Sequence, residues 1–250
     1  MDARLNVQSI FESFDGEENG FKGAGQLTTF IRLKGCNLNC AFCDTLYAQN
    51  SKPENWMTIA EIIAAIGDAK KVTVTGGEPM LQSENLGFLL ARLLDYKIDI
   101  SIETNGSQDI NPWMDGCIYN YAWRHENLRW IVDYKLPSSK MESMMKTDCL
   151  LRKVDVIKFV ISDEIDYNRA LEVIRMHSDW VAQKVFSPGI KIEDPTSYTL
   201  GLSRVVEIPA RIDNEWPRQL AEMMIRDRLQ DIQLSIQIHK VLWPNPDQER

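Results

Sequence analysis

The sequence is poor in histidine, has no excess of basic charge and holds no long apolar run, and each shortage excludes something. Its 3 histidines, His125, His177 and His239, lie far apart and far from any cysteine pair. A formal net charge of −8, with Lys and Arg scattered among acids, disfavours nucleic acid as a partner, because phosphate neutralisation needs clustered cations. No apolar run approaches the length of a membrane span. The opening MDARLNVQSIF has neither the basic nor the apolar region of a secretory signal. A cytoplasmic, thiol-reducing location and no membrane partner are therefore expected. Five cysteines, an odd number, argue against a disulfide framework. No low-complexity tract, internal repeat or Gly/Ser/Pro linker divides the chain, so residues 1–250 are read as a single domain. With 44% hydrophobic and 26% charged residues, that length can bury a sizeable core.

What is present alternates between two periods. After a polar, glycine-spotted loop (ESFDGEENGFKGAG), LTTFIRL reads as a strand that feeds directly into a run of cysteines. TIAEIIAAIG follows, with Thr58 and Glu61 at capping-box spacing and Gly67 as terminator. KKVTVT is a strand ending on GGEP, ENLGFLLARLLDY an apolar-striped helix, and KIDISIET the next strand. RWIVDYKL, DVIKFVIS and WVAQKVFS read as three more strands, with a helix over residues 163–177 between the last two. The helix NEWPRQLAEMMIRDRLQDI then precedes a final strand, LSIQIHKVL. Residues 107–129, with two Trp, two Tyr and a Pro, have no clean period and read as an irregular, Trp-rich insertion. This order predicts an α/β fold: a partial (β/α) TIM-type barrel of parallel strands with outer helices.

The stretch KGCNLNCAFCDT crowds Cys36, Cys40 and Cys43 onto one loop. Thiolates are soft metal ligands, so such spacing in a reducing compartment points to zinc or iron–sulfur, against the alternative of small buried hydrophobes. A structural zinc site wants four protein ligands, and Cys117 and Cys149 have no partnering pattern. Three ligands suit a [4Fe–4S] cluster with one iron left open. A barrel places its site at the C-terminal ends of its strands, and polar residues gather at those ends. Thr75-Gly76-Gly77-Glu78-Pro79 ends one strand; Ser101, Glu103 and Asn105 share a face of the next; Asp133 and Lys135 share a face of the one after. Lys158 sits in a strongly apolar strand, where its charge needs a carboxylate or a polar cavity. In the last strand Ser235, Gln237 and His239 are read on one face.

CNLNCAFC, including Phe42 before the last cysteine, resembles the CxxxCxxC signature of the radical S-adenosylmethionine (radical SAM) family. The resemblance implies a [4Fe–4S] cluster on Cys36, Cys40 and Cys43. Its open iron binds S-adenosylmethionine (SAM), and electron transfer from the cluster splits SAM to a 5′-deoxyadenosyl radical. It further implies SAM contacts from Gly76, Gly77, Glu78, Glu103, Asn105, Lys135, Ser138 and Ser187.

Within that superfamily IFESFDGE, FIRLKGCNLNCAFCDT, TGGEP, IETNG, DYKLPSSK and LSIQIHKVLW resemble the 7-carboxy-7-deazaguanine synthases. These lyases convert 6-carboxy-5,6,7,8-tetrahydropterin to 7-carboxy-7-deazaguanine, with loss of ammonia, on the way to 7-deazapurines such as queuosine. This resemblance implies Mg²⁺ on Thr45 and substrate contacts from Phe14, Asp15, Gly16, Glu17, Arg32, Thr75 and His239. It also implies a homodimer and an electron donor such as flavodoxin. Thr45 suits a hard cation that keeps several non-protein ligands, Arg32 suits a carboxylate fork, and Glu17 offers two acceptors to an aminopyrimidine edge. The family's QGEG reads Asp15-Gly16-Glu17-Glu18 here, so Asp stands in place of Gln. Two rivals are weighed against this reading. A glycyl-radical activating enzyme should lack IFESFDGE and Thr45, and a non-catalytic iron–sulfur protein should carry a fourth cysteine and no GGEP or ETNG.

Overall fold

The computed structural model of the chain describes residues 2–16, 23–50, 52–110, 126–146, 154–190, 192–193, 196–200, 204–208 and 211–242. The largest sheet has nine strands among the described residues. Seven of them run parallel: β2 (Leu27–Leu33), β4 (Lys71–Gly76), β5 (Asp99–Thr104), β6 (Leu128–Tyr134), β7 (Val156–Ile161), β8 (Gln183–Pro188) and β13 (Ile232–Leu234). β1 (Arg4–Phe14) pairs antiparallel with β2, and the short β3 (Trp56–Thr58) pairs antiparallel with β1. The order β13-β8-β7-β6-β5-β4-β2-β1-β3 ends on two edges, so this is an unclosed barrel, as expected. Two small ribbons stand apart from it, β9 (Ile192–Glu193) with β12 (Arg211–Ile212) and β10 (Thr196–Leu200) with β11 (Arg204–Ile208).

Alternation along the strands builds two layers. Val72, Val74, Ile100, Ile102, Val132, Tyr134, Ile157 and Phe159 turn outward into the main core. The crossover helices α2 (Ile59–Ile66), α3 (Ser83–Asp95) and α4 (Glu164–Met176) cover that face with Ile62, Leu86, Leu89, Leu93, Tyr167 and Val173. The opposite residues face the barrel interior, where Ile131, Val156 and Val185 form a small separate cluster. Helix α2 begins as the spacing predicts: the Thr58 hydroxyl accepts from the Glu61 N–H while the Glu61 carboxylate accepts from the Thr58 N–H, and Gly67 ends it at φ +59°.

The structure departs from the sequence reading at both ends. Residues 4–14 form a strand, where a loop is predicted to begin at Glu12; the cysteine loop therefore follows the second strand. LSIQIHKVL is not one strand: β13 stops at Leu234, and Ile238–Leu242 form a short helix, α6. Ser235 still donates its N–H to the Phe186 carbonyl (2.9 Å), but its hydroxyl turns to the Gly16 carbonyl (3.0 Å) and the chain leaves the sheet. The expected shared face of Ser235, Gln237 and His239 required an extended chain and is not formed. The preceding helix, α5 (Glu215–Arg226), is shorter than the predicted stretch. Residues 111–125 of the Trp-rich insertion lie outside the described residues, as do Glu17, His125, Cys117 and Cys149.

Candidate active site

The C-terminal ends of β2, β4, β5, β6 and β7 open into one cavity of about 520 Å³. The cysteine loop forms one wall: Cys36, Cys40 and Cys43 all line it, all half-buried and unbridged. Two backbone bonds fix this loop to the turn after β4, from Gly77 N–H to the Leu33 carbonyl (3.0 Å) and from Glu78 N–H to the Gly35 carbonyl (2.8 Å). The approach is so close that a Cβ on Gly77 would collide with the Gly35 carbonyl oxygen. This is the physical need for glycine at that point. Gly35, at φ +92°, makes the turn from strand into loop.

Burial pushes the Cys36 and Cys40 thiols up; at Cys40 the nearby Lys135 ammonium pulls the other way. Cys36 also receives the Leu38 N–H (3.4 Å) and the Asn105 amide (3.8 Å). Those donors suit a sulfur that carries negative charge when it ligates metal. Among the described residues no three of His, Cys, Asp or Glu meet at the geometry of a single metal ion. Three thiols spread along the wall of a wide cavity, with donors to sulfur, fit an iron–sulfur cluster, whose irons are each held by one thiolate.

Beside the cysteines, Glu103 and Asn105 from the end of β5 line the cavity with Asp133, Lys135, Ser138 and Lys158. Lys135 donates to Asp133 at 2.7 Å. Burial works against the Lys135 ammonium, yet Asp133 and the Cys40 sulfur hold its pKa above the ordinary lysine value. Asp133 keeps a second, buried carboxylate oxygen with no hydrogen-bond partner. Lys158 stands beside Asp133 across the β6–β7 ladder and also faces the cavity, which supplies the polar surroundings its charge requires. The Ser138 hydroxyl donates to Asp163 (3.1 Å) and its N–H to Asp166 (3.0 Å), fixing the loop after β6 to the start of α4.

The remaining wall comes from β1, β2, the end of β4 and the loop after the cysteines. Phe11, Ser13, Phe14, Gly16, Phe30, Arg32, Thr45, Tyr47 and Thr75 line it. Thr45 precedes the short helix α1 (Leu46–Gln49), yet its hydroxyl makes no capping bond and lies 3.6 Å from the Cys43 sulfur. The Ser13 hydroxyl and the Arg32 Nε are buried without hydrogen-bond partners. Gln237 and Lys240, three residues apart where the chain turns into α6, complete the rim, and Lys240 pairs with Asp44 at 2.7 Å.

Three predicted contacts are not on the cavity wall. Asp15 is fully buried and paired with Lys71 (2.5 Å), deeper in the barrel. Glu78 is also fully buried, and its carboxylate accepts from Met80 N–H (2.9 Å), Thr104 hydroxyl (2.7 Å) and Asn105 N–H (2.7 Å). Burial pushes that carboxyl up, opposed by these bonds; its work is to position the ETNG segment. Ser187 is buried outside the lining, its hydroxyl unpartnered. The side chain of His239 lies outside the described set. Conversely, Phe11 and Ser13 were missed because β1 was missed, although Phe11 and Ser13 alternate as strand residues do. Lys240 was missed because an extended reading puts it opposite Gln237, whereas a helical turn puts both at the rim.

Residues 30–113 match the Radical SAM superfamily profile. The chain is 36% identical over 247 residues to a 7-carboxy-7-deazaguanine synthase of Clostridium acetobutylicum, covering 96% of each chain. It is 33% identical to one of Chlorobaculum tepidum, covering 98% of this chain and 97% of that one. The fold is similar to the crystal structure of QueE from Escherichia coli, with a TM-score of 0.63, 20% identity and 94% of each chain covered.

Proposed function

We infer the chemistry from one premise: the chain belongs to the radical SAM superfamily and, within it, to the 7-carboxy-7-deazaguanine synthases. It forms 7-carboxy-7-deazaguanine from 6-carboxy-5,6,7,8-tetrahydropterin with loss of ammonia. The observation that carries this reading is a single cavity with two unlike walls. One wall holds three unbridged cysteines beside Asn105 and Lys135; the other holds Arg32, Thr45 and the phenyl rings of Phe11 and Phe30. When bound, the cluster and SAM supply the 5′-deoxyadenosyl radical that takes hydrogen from C6 of the pterin.

The chain's own residues do the rest by binding and orienting. Cys36, Cys40 and Cys43 hold the cluster, and Asn105 and the Leu38 N–H stabilise charge on the Cys36 sulfur. Gly76 and Gly77 bring the backbone of the turn after β4 to the cavity wall, where it offers polar groups to SAM. Glu103, Asn105, Lys135 and Ser138 surround the same region. Asp133 keeps Lys135 charged and pointed, ready for a carboxylate. Arg32 receives the substrate carboxylate through its open buried N–H. Thr45, free of capping duty, is the residue that would offer a hydroxyl to Mg²⁺, a hard cation that would help hold the substrate carboxylate. Phe11, Phe30 and Leu38 exclude water from the reacting ring.

Homodimer formation, a flavodoxin-like reductant and a cytoplasmic location complete the reading by analogy with the family. The test is anaerobic reconstitution with iron and sulfide, followed by dithionite, SAM, Mg²⁺ and the carboxytetrahydropterin. Formation of the deazaguanine supports the assignment; SAM cleavage without it sinks the substrate while leaving the superfamily intact. Thr45→Val should raise the Mg²⁺ concentration needed for half-maximal rate, and an unchanged magnesium response would remove Thr45 from the ion.

A further inference from the structure

Arg32 is the cavity cation whose guanidinium rests on aromatic rings. Its Cζ lies 5.5 Å from the Phe11 centroid and 5.9 Å from the Tyr47 centroid, within reach of a cation–π attraction. Phe11 is itself stacked on Phe30, at 5.2 Å and 11° between planes, so the ring beneath the guanidinium is held in place. Tyr47 is held by its backbone. Helix α1 is pinned by Ala48, fully buried, whose N–H donates to the Thr45 carbonyl (2.9 Å) and whose carbonyl accepts from Gly35 N–H (2.8 Å). Tyr47 and Thr45 therefore ride on one short element, anchored to the same glycine that opens the cysteine loop. Between the rings the Arg32 Nε is buried with no acceptor, a donor left for something that enters the cavity.

We propose that Tyr47, with Phe11, is a positioning residue: its ring face holds the Arg32 guanidinium in the orientation that receives the pterin carboxylate. It thereby sets the preference for a carboxylated ring over an uncarboxylated one. The proposal rests on the reading of Arg32 as the carboxylate's partner. A guanidinium is planar and weakly hydrated, so ring faces restrict its tilt without engaging its N–H groups. The fork is thus fixed before the carboxylate arrives, and less ordering is left for binding to do. Because Tyr47 is 43% exposed, shortening its side chain opens no cavity in the core.

The probes are 6-carboxypterin and pterin, in equilibrium dialysis against the anaerobic iron–sulfur holoenzyme. Tyr47→Leu should weaken 6-carboxypterin by about fivefold or more, the loss expected of one cation–π contact to a partly desolvated cation, and leave pterin unchanged. Tyr47→Phe should bind both as wild type does. In turnover Tyr47→Leu should raise KM and leave kcat unchanged. Unaltered 6-carboxypterin binding by Tyr47→Leu, equal weakening of both pterins, or a Tyr47→Phe as defective as Tyr47→Leu would each overturn the proposal. Arg32→Met separates it from its premise. Loss of carboxylate preference in Arg32→Met but not in Tyr47→Leu removes Tyr47 alone; preference that survives Arg32→Met removes the premise and the proposal together.

Discussion

At Asp15 an apparent substrate contact becomes a structural ion pair. An acid beside a carboxylated substrate would be unfavourable, but this carboxylate is wholly buried against Lys71, whose side chain is 7% exposed. Thr73, next along the same strand face, lies 3.5 Å from the same oxygen. Such a pair is expensive to break from one side, because the surviving charge stays buried without its partner. Asp15→Asn should therefore lower unfolding stability by about 3 kcal/mol, read from denaturant midpoints, with KM for the pterin unmoved. A raised KM at unchanged stability would return Asp15 to the substrate. Glu78 follows the same logic: a motif residue expected at the ligand instead spends its carboxylate on three protein donors. In both cases the sequence marks where the chain must be, and the buried partners decide which way the side chain points.

At the level of elements, periodicity was legible wherever one face met the core. The strands at 71–76 and 99–104 and the helices at 59–66, 83–95 and 164–176 were readable because apolar and polar positions repeat at the period of the element, and the strands at 128–134 and 156–161 because they are short, nearly continuous apolar runs. β1 was not, since its partners on both faces are partly polar: its burial runs through four half-buried positions, Gln8 to Phe11. The end of the chain misled for the opposite reason, because LSIQI alternates well but a side-chain bond at Ser235 takes the chain out of the sheet. Contacts between elements carry a pH dependence as well. Tyr167 on α4 donates to Asp227 at the end of α5 (2.7 Å), and Arg226 pairs with the same carboxylate. The Arg226 bonds, then the Tyr167 hydroxyl, hold the Asp227 carboxyl down at about 2. A carboxyl depressed by folding stabilises fully above its ordinary pKa near 3.8 and loses that contribution as pH falls through 2. Urea midpoints of wild type and Asp227→Asn should accordingly differ near neutrality and converge across that acid window. Parallel curves would show that the Asp227 charge contributes nothing.

Across the whole molecule, an unclosed sheet has to complete its cavity by other means. β13 lies at one edge and the β1–β3 pair at the other; the chain after β13 crosses between them. Ser235 bonds to the Phe186 carbonyl on one side and to Gly16, just past β1, on the other. Lys240 then reaches Asp44, between the last cysteine and Thr45, while Gln237 and Lys240 line the rim. The core in front of this segment is extensive and does not depend on it: the buried residues Ile31, Val74, Ile102, Tyr134 and Phe186 all precede residue 235. Ending the chain after Leu234 should therefore leave a folded protein that still assembles its cluster, because every cysteine and both flanking turns remain. What it removes is one wall of the substrate end. A radical formed beside an open wall meets water and stray hydrogen donors instead of a held pterin. The expected result is SAM cleavage near the wild-type rate with product formation reduced about tenfold or more, the scale of loss that misplacement of a reacting group causes. The ratio of deazaguanine formed to SAM consumed measures it. A truncated enzyme that keeps this ratio would mean that the barrel alone closes the site and the C-terminal segment only rests upon it.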